Sequence, residues 1–259
     1  MKRILLGDRR EKLVDTVELI LKHWGYRVLA SCNPEQLSRF LTDVSFDLLI
    51  LGDNLLDAKD GAMLRQVNTL VEEKHLPFVL LSDAAEPGLA LPPHETLAAP
   101  LDIFRLFTMT QRFLESTPRR NLRMRLLLPG IFHNGRRQSF AEVLSLSDHG
   151  LFIKTGCKVD NLDHLTIIIP LVGMKTEVEI NGKVLYRVNP SPENNYLQGV
   201  GIEFTDLTSA TSATIKDFLE SRVLGELAES IEGSRQFDLS QLQVHSHRDL
   251  TLRAEHHTA

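Results

Sequence analysis

Short apolar runs alternate with amphipathic stretches through the first half of the chain. Ile4-Leu5-Leu6 has the form of a short buried strand. Leu13, Val14, Val17, Ile20, Leu21 and Trp24 follow i, i+3, i+4 spacing, which predicts a helix from Glu11 to Trp24, ended by Gly25. Tyr26 to Ala30 is a second strand. Asn33-Pro34-Glu35-Gln36 combines an N-cap, a proline at N1 and a capping-box glutamine, so a helix is expected to about Asp43. Strands are expected at Asp47–Leu51, Phe78–Leu81 and Leu97–Ala99, and helices over 62–73 and Asp102–Glu115. Strands alternating with helices predict a doubly wound parallel sheet. Between Ser82 and Thr96 the chain carries Pro87, Gly88, Pro92 and Pro93, so the helix due after the fourth strand is short or missing.

The pattern changes after Ser116-Thr117-Pro118. Leu122, Met124, Leu126 and Leu128 now alternate with Arg123, Arg125 and Leu127, the period of a strand with one face toward a core. Pro129-Gly130 and Asn134-Gly135 are turn signals. Strand candidates follow at 139–146, 151–155, 164–170, 175–189 (with a bend at Asn181-Gly182) and 198–204, which argues a barrel. Over 208–227, Ile215, Phe218, Leu219, Val223 and Leu227 share one helical face. From about Ser230 the pattern fades into a polar tail, in which Asp238 to Ala254 is a marginal helix suited to ordering on a partner. The expected division is therefore 1–117, 118–228 and 229–259.

Composition narrows the class. With 42% apolar and 24% charged residues among 259, the chain is globular. No apolar run approaches the length of a membrane span, and the N-terminus meets Asp8 too soon for a signal peptide. Cys32 and Cys157, far apart, suit reduced thiols in a cytoplasm. The net charge of −5 is uneven: residues 1–117 carry 13 Lys/Arg and 17 Asp/Glu, residues 118–207 carry 11 and 9, and residues 208–259 carry 5 and 8. Only the middle segment is positive, and its balance of +2 is too small for nucleic acid but fits a small dianion. His245 and His247, then His256-His257, lack a third ligand at metal-site spacing, so no metal is expected. No Ser/His/Asp set, P-loop or pair of catalytic carboxylates is present, so an enzyme is not expected.

Two motifs carry the chemistry. Arg119-Arg120-Asn121-Leu122-Arg123 sets two arginines four apart, with Arg120 beside the first; about twenty residues on stands Ser145-Leu146-Ser147-Asp148-His149-Gly150. An arginine offers a fork of donors for a phosphate or the N7/O6 edge of guanine and a flat face for stacking. These residues resemble the RxxxR and [D/N]xSxxG motifs of PilZ domains. The resemblance runs to about Leu207 through Gly150-Leu151-Phe152-Ile153 and Gly199-Val200-Gly201-Ile202-Glu203-Phe204. It implies a six-stranded β-barrel with a C-terminal helix that binds the bacterial second messenger cyclic di-GMP through Arg119, Arg120, Arg123, Ser145, Ser147 and Gly150. Ser145 stands where the family usually has Asp or Asn; Asp148 is the alternative partner for guanine.

Residues 1 to about 117 resemble the flavodoxin-like receiver domain of response regulators, through Ile4-Leu5-Leu6-Gly7-Asp8, Asp47-Leu48-Leu49-Ile50-Leu51, Asp60-Gly61, Leu80-Leu81-Ser82 and Ala99-Pro100. The phosphotransfer chemistry is altered. The acidic pair reads Asp8-Arg9, and a cation there repels Mg²⁺. The acceptor position falls on Gly52 or on Asp53, depending on the anchor of the count. Ser82 fits its place, and Ala99 replaces the lysine.

The combined expectation is an α/β plus all-β, non-catalytic signalling adaptor: a non-phosphorylatable receiver repositioned by a PilZ domain that senses cyclic di-GMP. Arg119 and Arg123, just after the junction, would fold over the ligand and stiffen it, without cofactor or metal. The partner would be a signalling, pilus, motility or exopolysaccharide protein, or a second copy of the chain. The alternatives are a ligand-independent scaffold and a working response regulator.

Overall fold

The computed structural model describes residues 2–56, 61–83, 91–133, 137–158, 163–229 and 237–244. The first half builds β1 (Arg3–Gly7), α1 (Glu11–His23), β2 (Arg27–Ser31), α2 (Pro34–Asp43), β3 (Leu48–Gly52), a single turn α3 (Asp53–Leu56), α4 (Ala62–Asn68), β4 (Phe78–Ser82), β5 (Glu95–Ala98) and α5 (Ile103–Leu114). The five strands form one parallel sheet in the order β2-β1-β3-β4-β5. Successive strand residues serve opposite faces. Ile4, Leu6, Leu48 and Ile50 pack with Leu13, Val17, Ile20 and Leu21 of α1. Leu5, Leu49, Leu51 and Leu80 pack with Leu37, Leu41, Met63 and Val67 of α2 and α4. Burial on both faces is why these strands are continuous apolar runs.

Local chemistry places the helices. Asp102 caps α5 by accepting from the amides of Phe104 (2.8 Å) and Arg105 (3.1 Å). Asn33 caps α2 through the amides of Glu35 (2.8 Å) and Gln36 (3.3 Å), a contact worth about 1 kcal/mol. The capping box expected there is relayed. The Ser31 hydroxyl donates to Gln36 Oε1 at 2.7 Å and accepts the Asn33 amide at 3.0 Å. The helix expected over 62–73 ends at Asn68 and continues as one π-helical turn, Thr69–Glu73. The proline-bearing segment after β4 falls largely on 84–90, outside the described residues.

The second half is a closed antiparallel barrel of β6 (Arg123–His133), β7 (Gln138–Ser147), β8 (Gly150–Lys154), β9 (His164–Leu171), β10 (Thr176–Val188) and β11 (Gly199–Thr205), ordered β10-β11-β8-β7-β6-β9. Closure leaves no strand edge. Two expectations are corrected here. Pro129-Gly130 is no turn: β6 runs through it, with Pro129 opposite Glu142 and Gly130 opposite Ala141. Nor does β10 bend apart at Asn181-Gly182, because both residues pair with β9 and with β11. The irregularities are instead three register shifts, in β6 between Arg125 and Leu128, in β7 between Val143 and Ser145, and in β10 between Val184 and Tyr186. The Asn134-Gly135 turn lies outside the described residues.

Helix α6 (Ser209–Glu229) buries Ile215, Phe218, Leu219, Val223, Leu224 and Leu227 against the barrel and α1. The chain then returns to the first unit. Leu242 bridges Leu101 in parallel, with the Leu101 amide on the Gln241 carbonyl and the Gln243 amide on the Leu101 carbonyl, both at 2.8 Å. The Asp238 amide donates to Thr16 Oγ1 at 3.3 Å, and Lys12 pairs with Asp238 at 3.2 Å. Residues 237–244 are therefore a packed strap with Leu242 buried rather than a free polar tail; of the helix expected over Asp238–Ala254, the described residues hold one 3₁₀ turn, Leu239–Gln241, and 245–254 lie outside them. Those two backbone bonds and the apolar contact predict that deleting residues 237–259 lowers the thermal midpoint of the first unit by a few degrees. The four tail histidines lie outside the described residues.

Candidate ligand-binding site

The two units meet at the first turn of the barrel. Trp24 at the end of α1 packs edge-on against Phe107 of α5, with ring centroids 5.2 Å apart. His23 Nε2 lies 3.4 Å from Glu226 of α6. Between them opens a cavity of about 600 Å³, lined by His23, Gln111, Glu115, Arg119, Arg123, Arg125 and Glu226 among others, a size suited to a small ligand. Arg119 sits on the connection from α5. Arg123 and Arg125 sit two apart on β6 and share its outer face, since side chains alternate along a strand. Three guanidinium groups against two carboxylates leave this cavity a net attraction for anions.

Gln111 fixes the entrance. Its Oε1 accepts the Arg119 amide at 3.1 Å and its Nε2 donates to the Tyr26 hydroxyl at 3.0 Å. Thr108 Oγ1 donates to the Arg120 carbonyl at 3.2 Å. Arg120 itself is exposed and is not among the residues lining the cavity. Tyr26 is 6% exposed, and its hydroxyl donates to Glu115 at 3.2 Å. Burial and then the Glu115 charge push its pKa up to about 12. The folded state thus favours the neutral phenol. Its contribution is complete below the ordinary tyrosine pKa of about 10 and is lost as pH rises toward 12. Thermal melts are expected to fall through that window, and Tyr26→Phe should flatten the decline.

The second motif splits between surface and turn. Ser145 is half-buried and lies opposite Arg125 on β6 and Phe152 on β8. Ser147 is 2% exposed, and its hydroxyl donates to the Gly150 carbonyl at 2.9 Å, bracing the β7–β8 turn. Gly150 packs against the Ile202 carbonyl so closely that a Cβ would overlap it. Asp148 Oδ1 is buried without an aligned donor; His149 Nδ1 lies 2.9 Å away, an ion pair when the imidazole is protonated. That oxygen is not presented to a surface ligand. Of the expected residues, Arg119, Arg123 and Ser145 reach the junction face or its continuation, whereas Ser147 and Gly150 build the turn beneath.

At the carboxyl ends of β1, β3 and β4, where the strand order reverses, lies a second cluster. Asp8 is fully buried and accepts from Arg10 Nε (2.9 Å), Arg10 Nη2 (2.6 Å), the Arg10 amide (2.8 Å) and Asn54 Nδ2 (2.9 Å). Arg10 Nη1 also pairs with Asp83. The cation expected at Arg9 is thus Arg10, and Arg9 contributes its amide to Asn54. Gly52 ends β3 directly against Asp8, where a Cβ would lie 2.7 Å from Asp8 Cγ. Asp53 begins the next turn and accepts the Ser82 hydroxyl at 2.5 Å. Both carboxylates are committed to internal donors. Acetyl phosphate with Mg²⁺ is therefore expected to leave the protein unlabelled; a phosphoryl mass increment on Asp53 would show the opposite. Among the described residues no group of His, Cys, Asp and Glu is arranged to hold a metal.

Residues 117–221 match the family model described as PilZ domain. This part of the chain is a PilZ domain. No curated protein matches the chain. Among solved structures it is similar to the Bacillus subtilis inhibitor of motility MotI/DgrA (15% identity, 42% of this chain and 53% of that one, TM-score 0.38). It is also similar to the PilZ domain of YcgR from Escherichia coli with c-di-GMP (12%, 44% and 100%, TM-score 0.37). A third is the chemotaxis response regulator CheY4 of Vibrio cholerae (21%, 44% and 99%, TM-score 0.39). The chain spans about half the length of MotI/DgrA. The parallel five-stranded first unit is receiver-like, and the PilZ barrel follows it. No helix among the described residues is long and apolar enough to cross a membrane. Sequence reasoning passed over Arg125 as a site residue, though it lies two positions after Arg123 on the same strand face, and it had no signal for Gln111, whose partners are 85 residues before it and 8 after.

Proposed function

We propose that the chain is a non-catalytic cytoplasmic adaptor whose PilZ domain takes cyclic di-GMP at the junction face. The observation that carries this is the convergence of Arg119, Arg123 and Arg125 on one cavity that is walled on its other side by α1 and α5 of the receiver-like unit. A phosphate held by Arg119 and Arg123 touches the connection between the units, so occupancy stiffens that connection and changes what the receiver-like unit presents to a protein partner. Arg10 supports a receiver-like unit that does not take a phosphoryl group, because its guanidinium pairs with the buried Asp8 where a divalent cation would have to sit.

Calorimetry of the full chain with cyclic di-GMP tests the reading. Serine offers one short hydroxyl where a carboxylate would accept two donors, so affinity is expected on the order of ten to a hundred micromolar, some 1–3 kcal/mol below that of an acidic site. Ser145→Asp is expected to tighten binding by about tenfold. Heats indistinguishable from dilution in both proteins would leave the ligand-independent scaffold as the function.

A further inference from the structure

The register of the barrel aligns one residue from each of five strands in a single outward row: Arg125 on β6, Ser145 on β7, Phe152 on β8, Gly201 on β11 and Tyr186 on β10. All three register shifts in the barrel adjoin this row, at Arg125, Ser145 and Tyr186. A bulge re-aims the side chain beside it. In β10 the effect is direct: Val184 faces the core, and both Leu185 and Tyr186 face out, at 58% and 46% exposure.

Two rings dominate the row. Phe152 and Tyr186 lie 6.1 Å apart with only 18° between their planes. Gly201 leaves the space that the Tyr186 ring occupies, since a Cβ there would fall within the ring; a Cβ on Gly199 would come 2.7 Å from the Phe152 ring. The two glycines make room for the rings on the barrel wall, where Phe152 and Tyr186 stack on one another as one shelf and Tyr186 stays half-exposed. Aromatic faces of this kind stack on nucleobases whatever the base. Beside the shelf, Arg125 and Ser145 supply a donor fork and a hydroxyl for a base edge. Arg125 also lines the junction cavity, so shelf and cavity form one continuous surface.

We propose that the Phe152–Tyr186 shelf stacks a purine base of the ligand, with Arg125 addressing that base's polar edge. This deepens the functional reading above and rests on it. Phosphate is held at the junction by Arg119 and Arg123, and the base lies outward over β8 and β10.

The test is calorimetry of the full chain with cyclic di-GMP, comparing wild type with Tyr186→Phe, Tyr186→Leu, Phe152→Leu and Leu185→Ala. Leucine keeps an apolar cover over the glycines and removes the π face, which separates stacking from folding; thermal melts check each protein. Tyr186→Leu and Phe152→Leu are each expected to weaken binding about tenfold, while Tyr186→Phe and Leu185→Ala stay within about twofold of wild type. Wild-type affinity in both leucine variants overturns the shelf and leaves the junction reading standing. Absence of binding by wild type overturns the junction reading and the shelf with it.

Discussion

Replacing Arg10 by alanine is expected to cost the fold about 3–5 kcal/mol, the loss typical when one partner of a buried ion pair is removed. Asp8 has no exposed surface. Arg10 supplies two of its four donors through the side chain; the alanine keeps only the backbone amide, and Asn54 Nδ2 is the other donor left. A carboxylate so stranded suffers the desolvation cost without the compensating charge. The bond from Arg10 to Asp83 adds little, because the Asp83 side chain is 71% exposed. Urea unfolding measures the loss. Adding Asp8→Asn should recover most of it, since the amide buries no charge, and the double-mutant cycle then isolates the pair. Arg10→Lys should rescue only in part, because an ammonium lacks the planar fork that meets Asp8 through two nitrogens. A loss below about 1 kcal/mol in Arg10→Ala would mean that Asp8 is solvated and that the pocket stays open to a cation.

That pocket also shows where the sequence was legible. The apolar runs at Ile4-Leu5-Leu6 and Leu49-Ile50-Leu51 announced their strands because residues buried on both faces leave no polar interruption. The ambiguity between Gly52 and Asp53 needed the strand end, which places Gly52 against Asp8. Counting along the chain set Arg9 beside Asp8, whereas the turn into α1 folds the Arg10 side chain back onto that carboxylate. In the barrel the period-2 pattern was readable, and its punctuation was not. Proline lacks the ladder N–H and is tolerated in strands beside bulges, and Pro129 directly follows the register shift between Arg125 and Leu128, so it fits within β6. Gly182 makes room for the Ile202 side chain and marks no turn. A bulge has no composition of its own; a one-residue slip reverses which side chains face out. That is why Leu185 and Tyr186 are both exposed, and why Arg125 and Ser145 sharing a row with Tyr186 needed the structure. The strap at 237–244 was hidden for another reason: Phe237, Leu239, Leu242 and Val244 show no sustained period, and their partners lie more than a hundred residues earlier.

Arg123→Ala is expected to weaken cyclic di-GMP binding tenfold to a hundredfold, as follows from about 1.5–3 kcal/mol for a hydrogen bond to a charged group and about 1.4 kcal/mol per decade. The side chain is exposed and lines the junction cavity, and among the described residues it forms no ion pair. The contrast with Arg10 is one of solvation. Arg10 answers a buried carboxylate, so its removal is paid in folding; Arg123 faces water, so its removal should leave circular dichroism and the urea midpoint unchanged. Arg119→Ala should act similarly on binding, with one difference: the Arg119 backbone amide is tied to Gln111, and that bond survives the substitution. Gln111→Ala should therefore weaken binding less than either arginine change, because it loosens the entrance and leaves both guanidinium groups in place. The two arginines grip one anion, so the double variant should lose less than the sum of the singles. Raising salt should weaken wild type more than Arg123→Ala, since a charge pair is screened and its absence is not. Equal affinity in wild type and Arg123→Ala, with the fold intact, would move the ligand off the junction face and would leave the three arginines as a solvated surface.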